Sequence, residues 1–394
     1  MTRIAFFAHD ENDAAIRRRV FAFEDAGYEV AGFAMRRSSS RTDLGWNKVD
    51  LGRTHDARFL HRAGAIVSGA RKVAGDKALL QSCDLVYARN LDMALCALMA
   101  MRLSGFSLPL VYECLDVHRL MHRNTLSGTF LRAAERGVLK RSALLVVSSP
   151  GFIREYFDIR HPGKFRAHLI ENRIADAPAL GPRPHTPARA AGPLRIGWFG
   201  VLRCRRSLEL LESLAGRFGP EIEIELRGYP DLMLHDFHER IRQYSSMRYR
   251  GRYRSPEDLG EMYQGVDLVW AGDFHDAGAN SRWLLPNRLY EGGYFGAPAI
   301  APADTETARW ITSSGAGFVV NEPLHDNLQT LVSQLVAAPH LILDAQQRLL
   351  SLPRTRFIQP SMEMREVVIS ALASASISKR SDSSPTVAIV SSEG

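Results

Sequence analysis

Cysteine is scarce, with four residues in a chain of 394. Cys83, Cys96, Cys114 and Cys204 form no CxxC pair and no disulfide-framework spacing, which favours buried free thiols in a reducing compartment over a metal or redox role. Long apolar runs are also missing: none reaches the roughly 18 residues that cross a bilayer. The opening MTRIAFFAHD meets acidic residues before a secretory hydrophobic stretch is complete, so the chain is expected to be cytoplasmic. No DxD pair stands at a strand end, and DFHD (273–276) has the wrong spacing to hold a cation. His118/His122 and His235/His238, at helical intervals, read as surface or core residues. Helix-turn-helix, RRM, KH and zinc signatures are absent, so nucleic acid is not an expected partner.

A hydrophobic content of 45% is enough to bury large cores, and the length favours two domains. Charge divides unevenly between the halves. Residues 1–172 hold 26 Lys/Arg against 18 Asp/Glu, while the remainder holds 24 against 25. Either the first half carries a solvated basic surface, or it meets an anionic partner such as a membrane.

Short apolar strands alternate with helical sequence from the first residues: RIAFFAH (3–9), YEVAGFAM, CDLVYARN (83–90), LPLVYECLD (108–116) and SALLVVSS (142–149). Such alternation predicts a parallel sheet with helices on both faces. Residues 173–194 hold five prolines and read as a linker. The same pattern then restarts with LRIGWFG, EIEIELRG, VDLVWAG and APAIA. The expected fold is therefore α/β, with two doubly wound Rossmann-like domains, 1–172 and 195–354, facing across a cleft. A helix over 355–373 is expected to return across the interface, followed by a serine-rich mobile tail, 374–394.

Ligands of doubly wound sheets bind at the carboxyl ends of strands. His9 and Asp10, Arg89 and Asn90, and Asp116 and His118 follow strands of the first half. In the second, GWFGVLRCRRS ends a strand at Gly200 and brings Arg203, Arg205 and Arg206 to the start of a helix, a cradle suited to a diphosphate. In LLPNRLYEGGYFGAPAIA, Pro286 opens a helix, Asn287 and Arg288 lie at its positive end, and Glu291 stands one turn later. A carboxylate behind a phosphate site suits a pair of sugar hydroxyls, unless it only pairs with Arg288.

The stretches WFGVLRCRRSLELL, RYRGRYRSPEDLGEMYQGVDLVWAGD and LLPNRLYEGGYFGAPAIAPADTE resemble the donor domain of family-4-type glycosyltransferases of GT-B fold. With FFAHDENDAAIRRRV, VYARNLDMAL and VYECLDVHRLM, the chain over roughly residues 3–370 resembles bacterial exopolysaccharide glycosyltransferases of the succinoglycan-biosynthesis kind. The resemblance implies that Glu291 binds the ribose of a UDP- or GDP-linked sugar, that Arg206, with Arg203 second, meets the diphosphate, and that Gly200 permits close approach. It further implies a metal-independent, retaining hexosyltransferase with no other cofactor, acting on a lipid-linked or other glycan acceptor. Two departures stand out. The family's earlier donor-site glutamate is Trp283 here, leaving Asn280, Ser281 or Asp276 as substitutes, and its histidine–acid pair reads Leu115-Asp116 with the histidine at His118.

Asp10, Asp116 and His118 are the candidates for orienting the acceptor hydroxyl, with His9, Arg89, Asn90 and Glu113 on the same side; Glu113 reads equally as a satisfied buried carboxylate. A peripheral position on an anionic inner membrane face is expected from the basic first half. Within it, residues 56–81 set Phe59, Ala63, Ile66, Val67, Ala70 and Val73 at helical spacing beside Arg58, Arg62, Arg71, Lys72 and Lys77; the stripe either lies on lipid or faces its own sheet. A nucleotide-sugar epimerase, which would need no basic half, and a non-catalytic subunit of the same fold are the competing functions.

Overall fold

The computed structural model describes residues 1–11, 13–36, 48–53, 59–117, 119–122, 125–189, 191–231 and 234–382. Its first sheet contains β1 (Arg3–Ala8), β2 (Glu29–Arg36), β3 (Lys48–Arg53), β4 (Leu85–Arg89), β5 (Leu110–Cys114), β6 (Leu144–Val147) and β7 (Ala167–Leu169), ordered β3-β2-β1-β4-β5-β6-β7 and parallel throughout. The central strands β4, β5 and β6 are buried along their whole length because helices cover both faces, which is why they read as unbroken apolar runs. The helix Ala14–Asp25 starts where Asp13 accepts the Ala15 N–H at 2.8 Å, and the chain turns after it at Gly27, φ 89°.

After the two-residue strand β8 (Ile174–Ala175), the second sheet follows: β9 (Leu194–Leu202), β10 (Ile222–Pro230), β11 (Met247–Tyr249), β12 (Leu268–Trp270), β13 (Ala299–Pro302) and β14 (Gly317–Val320), ordered β11-β10-β9-β12-β13-β14. Strand order reverses beside β1 in one sheet and beside β9 in the other, which places a ligand crevice at the carboxyl ends of β1/β4 and β9/β12. Each sheet carries an apolar core on both faces.

The chain then returns. β15 (Ile358–Gln359) pairs with β8, and the helix Ser361–Asp382 buries Met364, Val367, Val368 and Ala371 against the first sheet while Arg365 Nε donates to Ala26 O at 3.0 Å. This helix begins later and runs further than the sequence suggests: residues 374–382 are helical, and the expected tail beyond them lies outside the described residues.

All four cysteines are buried and unpaired, and burial pushes the Cys96 thiol up to about 12. The helix Phe59–Gly75 turns Ile66, Ala70 and Val73 of its stripe towards the core, while Ala63 is exposed and Val67 half-buried on the outer side. Arg58 lies outside the described residues, as does His118. Among the described residues no helix is long and apolar enough to cross a membrane.

Candidate active site

β9 outruns its neighbour β12 and pairs with β10 as far as Leu202. Gly200 takes φ 110° there and Gly228, opposite, φ 126°; a Cβ on Gly228 would stand 1.8 Å from Gly200 O, so the two backbones touch. The helix Arg205–Phe218 opens directly behind this turn. Its N-cap is Cys204, whose sulfur receives the N–H groups of Ser207 at 3.4 Å and Phe274 at 3.2 Å.

The three arginines of the turn diverge. Arg203 Nη2 donates to Asp273 Oδ2 at 3.0 Å, Arg205 pairs with Asp236 at 3.2 Å, and Arg206 pairs with the exposed Glu322 at 2.8 Å while lying over the Phe274 ring at 4.6 Å. Burial pushes the Asp273 carboxyl up, but Arg203, the His275 N–H and Arg288 together hold it below its usual range. Arg203 and Arg288 therefore converge on one carboxylate, and Arg288 Nη1 also donates to Phe199 O at 3.3 Å. Of the two arginines the sequence favours, Arg203 points inward and Arg206 stands at the rim.

Glu291 lies in the helix Asn287–Tyr294, 4% exposed, with Tyr263 donating to its Oε2 at 2.7 Å. Burial raises its carboxyl above the ordinary range; the Tyr263 hydroxyl, Arg18 and Arg288 oppose the rise. Arg18 comes from the first domain. In the run Arg17-Arg18-Arg19 the helix sends Arg17 to solvent and Arg19 into an ion pair with Glu113 at 2.8 Å, leaving Arg18 within electrostatic reach of Glu291 and Tyr253.

On the first-domain wall, His9 Nε2 lies 3.4 Å from Asp13 Oδ2 and His9 Nδ1 3.4 Å from Asn90 Nδ2. Asn90 itself holds φ 73°, ψ 159°, a region almost reserved for glycine, and its Oδ1 is buried with no partner. Asp116 opens to the solvent of the cleft, yet both domains crowd it: burial lifts its carboxyl above the ordinary range, Arg203 and His9 pull it down, and Asp276 and Asp13 add like charge. Asp10 lies beside this group, half-buried.

The structure thus brings His9, Asn90 and Asp116 to face Arg203, while Arg288 and Glu291 stand further along the same cleft; Gly200 lies at the turn and Asn287 is exposed at its helix start. Asn280 contacts both domains. Arg89 and Glu113 lie apart from the cleft surface, each 1% exposed: Glu113 receives Arg19 at 2.8 Å and Arg89 at 2.7 Å, and Arg89 also donates to Ala15 O at 2.5 Å. Sequence reasoning passed over Arg18, Tyr263 and Asp13. Arg18 was hidden in a run of three arginines, Tyr263 in an apolar helix face, and Asp13 behind its role as a cap.

Two facing Rossmann-like domains and a C-terminal helix that crosses back define the GT-B fold. No protein-family model matches the sequence. The chain is 38% identical over 356 residues to succinoglycan biosynthesis protein ExoL of Rhizobium meliloti, spanning 89% of this chain and 88% of that protein. It belongs to the family of that succinoglycan-biosynthesis protein. In fold it is similar to Anabaena HepE in complex with UDP (TM-score 0.67, 12% identity, covering 95% of this chain and 100% of HepE). It is also similar to sucrose-phosphate synthase from Thermosynechococcus elongatus (0.70, 13%, 95% and 100%) and to the lipopolysaccharide galactosyltransferase WaaB (0.62, 15%, 94% and 99%).

Proposed function

We propose that the protein moves a hexose from a UDP-linked donor to a lipid-linked glycan acceptor, with retention of anomeric configuration and without a metal. One observation carries the reading: Arg203, Arg288 and the Glu291–Tyr263 pair on the donor domain face Asp116 and His9 on the first domain across a single cleft. Diphosphate oxygens meet Arg203 and Arg288 at the start of the helix Arg205–Phe218, drawing both arginines from Asp273, which holds them in place until the donor binds. The ribose hydroxyls donate to Glu291, and Tyr263 sets its orientation.

In the transfer, the bond from the anomeric carbon to phosphate breaks and its electron pair leaves with the nucleoside diphosphate. The acceptor oxygen bonds to the anomeric carbon from the same face, and its proton passes to the departing phosphate oxygen. Asp116, ionised, accepts a hydrogen bond from a neighbouring hydroxyl of the acceptor and so aims the reacting one, whose own proton stays turned to the phosphate. UDP rather than GDP is favoured by the UDP and UDP-glucose complexes of HepE.

A peripheral position on an anionic inner membrane face is part of the same proposal. The helices Phe59–Gly75, Leu91–Ser104 and Leu126–Leu139 form one layer over the first sheet. Its outer surface presents Arg71, Leu103, Leu126 (93% exposed) and Phe130 (66%). Calorimetric titration with UDP and GDP, followed by NMR of the transferred anomer, tests the reading. Micromolar UDP binding and a retained configuration are expected; a GDP preference or an inverted product would overturn the corresponding part.

A further inference from the structure

Trp283 belongs to the donor domain by sequence and to the first domain by packing. Its indole is 9% exposed within the first domain's core, with ring centroids 4.8 Å from His122, 6.3 Å from Phe152 and 6.5 Å from Tyr156; Ala279, one turn earlier, enters the same core. The backbone is seated as closely as the side chain. The Ser149 hydroxyl donates to Trp283 O, and Gly151 approaches so near that a Cβ there would stand 2.6 Å from the same oxygen.

Asn280, at the other end of this turn, grips the backbone next to Asp116. Its Oδ1 accepts the Val117 N–H at 2.9 Å, and its Nδ2 donates to Val117 O at 2.9 Å and to Asp276 Oδ2 at 2.9 Å. Beyond Trp283 the contact continues with Arg154 on Glu306 at 2.6 Å and Arg309 3.6 Å from Glu155. Interfaces between domains of one chain are ordinarily polar and permit relative motion. Here a tryptophan crosses into the neighbouring core beside the residue that faces the donor arginines.

We propose that Trp283 and Asn280 are positioning residues: the turn Asn280–Trp283 keys the donor domain into the first domain and sets Asp116 against Arg203 and Asp276 before any donor arrives. The inference rests on reading the cleft as the site of transfer. Tryptophan at this position would then fix the spacing of the two walls instead of contacting the transferred sugar.

The test compares wild type, Trp283→Ala, Trp283→Phe and Gly151→Ala by small-angle scattering with and without UDP, by UDP calorimetry, and by turnover. Wild-type scattering is expected to be unchanged by UDP. Trp283→Ala and Gly151→Ala are expected to give larger radii of gyration and kcat lowered about tenfold or more, with UDP affinity held within about threefold. Trp283→Phe should restore the wild-type radius and most of kcat. Unchanged scattering and kcat in both Trp283→Ala and Gly151→Ala would overturn the proposal. So would a loss of UDP affinity in Trp283→Ala at unchanged radius, which would make Trp283 part of the donor pocket. If Trp283→Ala fails to fold, Gly151→Ala, which leaves the indole in place, decides. Scattering is read independently of turnover: absence of transfer in every preparation would count against the cleft's assigned reaction, and unchanged scattering against the key.

Discussion

Asn90 concentrates strain at the point where β4 delivers the chain to the cleft. A non-glycine residue at φ 73°, ψ 159° costs of order 1–3 kcal/mol, and the buried, partnerless Oδ1 adds to it. Asn90→Gly is therefore expected to stabilise the fold by about 1 kcal/mol in denaturant titration while lowering turnover. Stability unchanged or reduced would mean that the side chain anchors the loop. Asp116 supplies a second prediction. Its carboxyl is raised by burial and drawn down by Arg203, so the acid limb of kcat/KM should lie above the ordinary aspartate value of about 4. Activity is present above that limb and lost as pH falls through it. Arg203→Gln removes the charge that favours the ionised form, so the limb should move to higher pH; a limb unmoved would detach Asp116 from the profile. At this scale the sequence was partly legible. Asp116 announces itself as a polar residue just beyond an apolar strand, and Arg288 and Glu291 as charges in the first turns of a helix opened by Pro286, whereas Arg18 does not, because only the helix phase tells it from Arg17 and Arg19.

Strands buried on both faces were the most readable elements, since β1, β4, β5 and β6 have no polar face to blur the pattern. The edge strands β3, β7, β11 and β14 escaped notice for the opposite reason. β3 reads KVDLGR, with Asp50 bonded to Arg36 at 3.1 Å, and β11 has only three residues. The stripe of Phe59–Gly75 has the composition of a lipid-lying helix, yet Ile66, Ala70 and Val73 pack towards the core while Ala63 is exposed; composition alone does not tell the two halves apart. The β9–β10 turn yields a prediction at this scale. Gly228→Ala would drive a methyl into Gly200 O and strain φ 126°, so the denaturation midpoint should fall by at least about 2 kcal/mol equivalent, and UDP affinity should fall with it. A fully stable variant with normal UDP binding would mean the two backbones part readily.

Across the whole molecule, the excess positive charge lies in residues 1–172, and the membrane face proposed above is the outward layer of that domain. Each basic residue near an anionic leaflet contributes on the order of 1 kcal/mol, and exposed Leu126 and Phe130 stand one turn apart beside that field. Wild type should sediment with anionic but not neutral vesicles and be released by high salt. Arg71→Gln with Lys72→Gln, and Leu126→Ser with Phe130→Ser, should each weaken that binding; equal partitioning of all three proteins would exclude this face. The central claim remains the chemistry of the cleft, and transfer of label from radioactive UDP-glucose to extracted lipid-linked acceptor tests it most directly. Wild type is predicted to transfer label at undiminished rate in excess chelator. Asp116→Asn should lose about a hundredfold in rate while still binding UDP, and Glu291→Ala should lose roughly 1.5–3 kcal/mol of UDP binding. Wild-type rates in both folded variants, or activity abolished by chelator and restored by magnesium, would contradict the account.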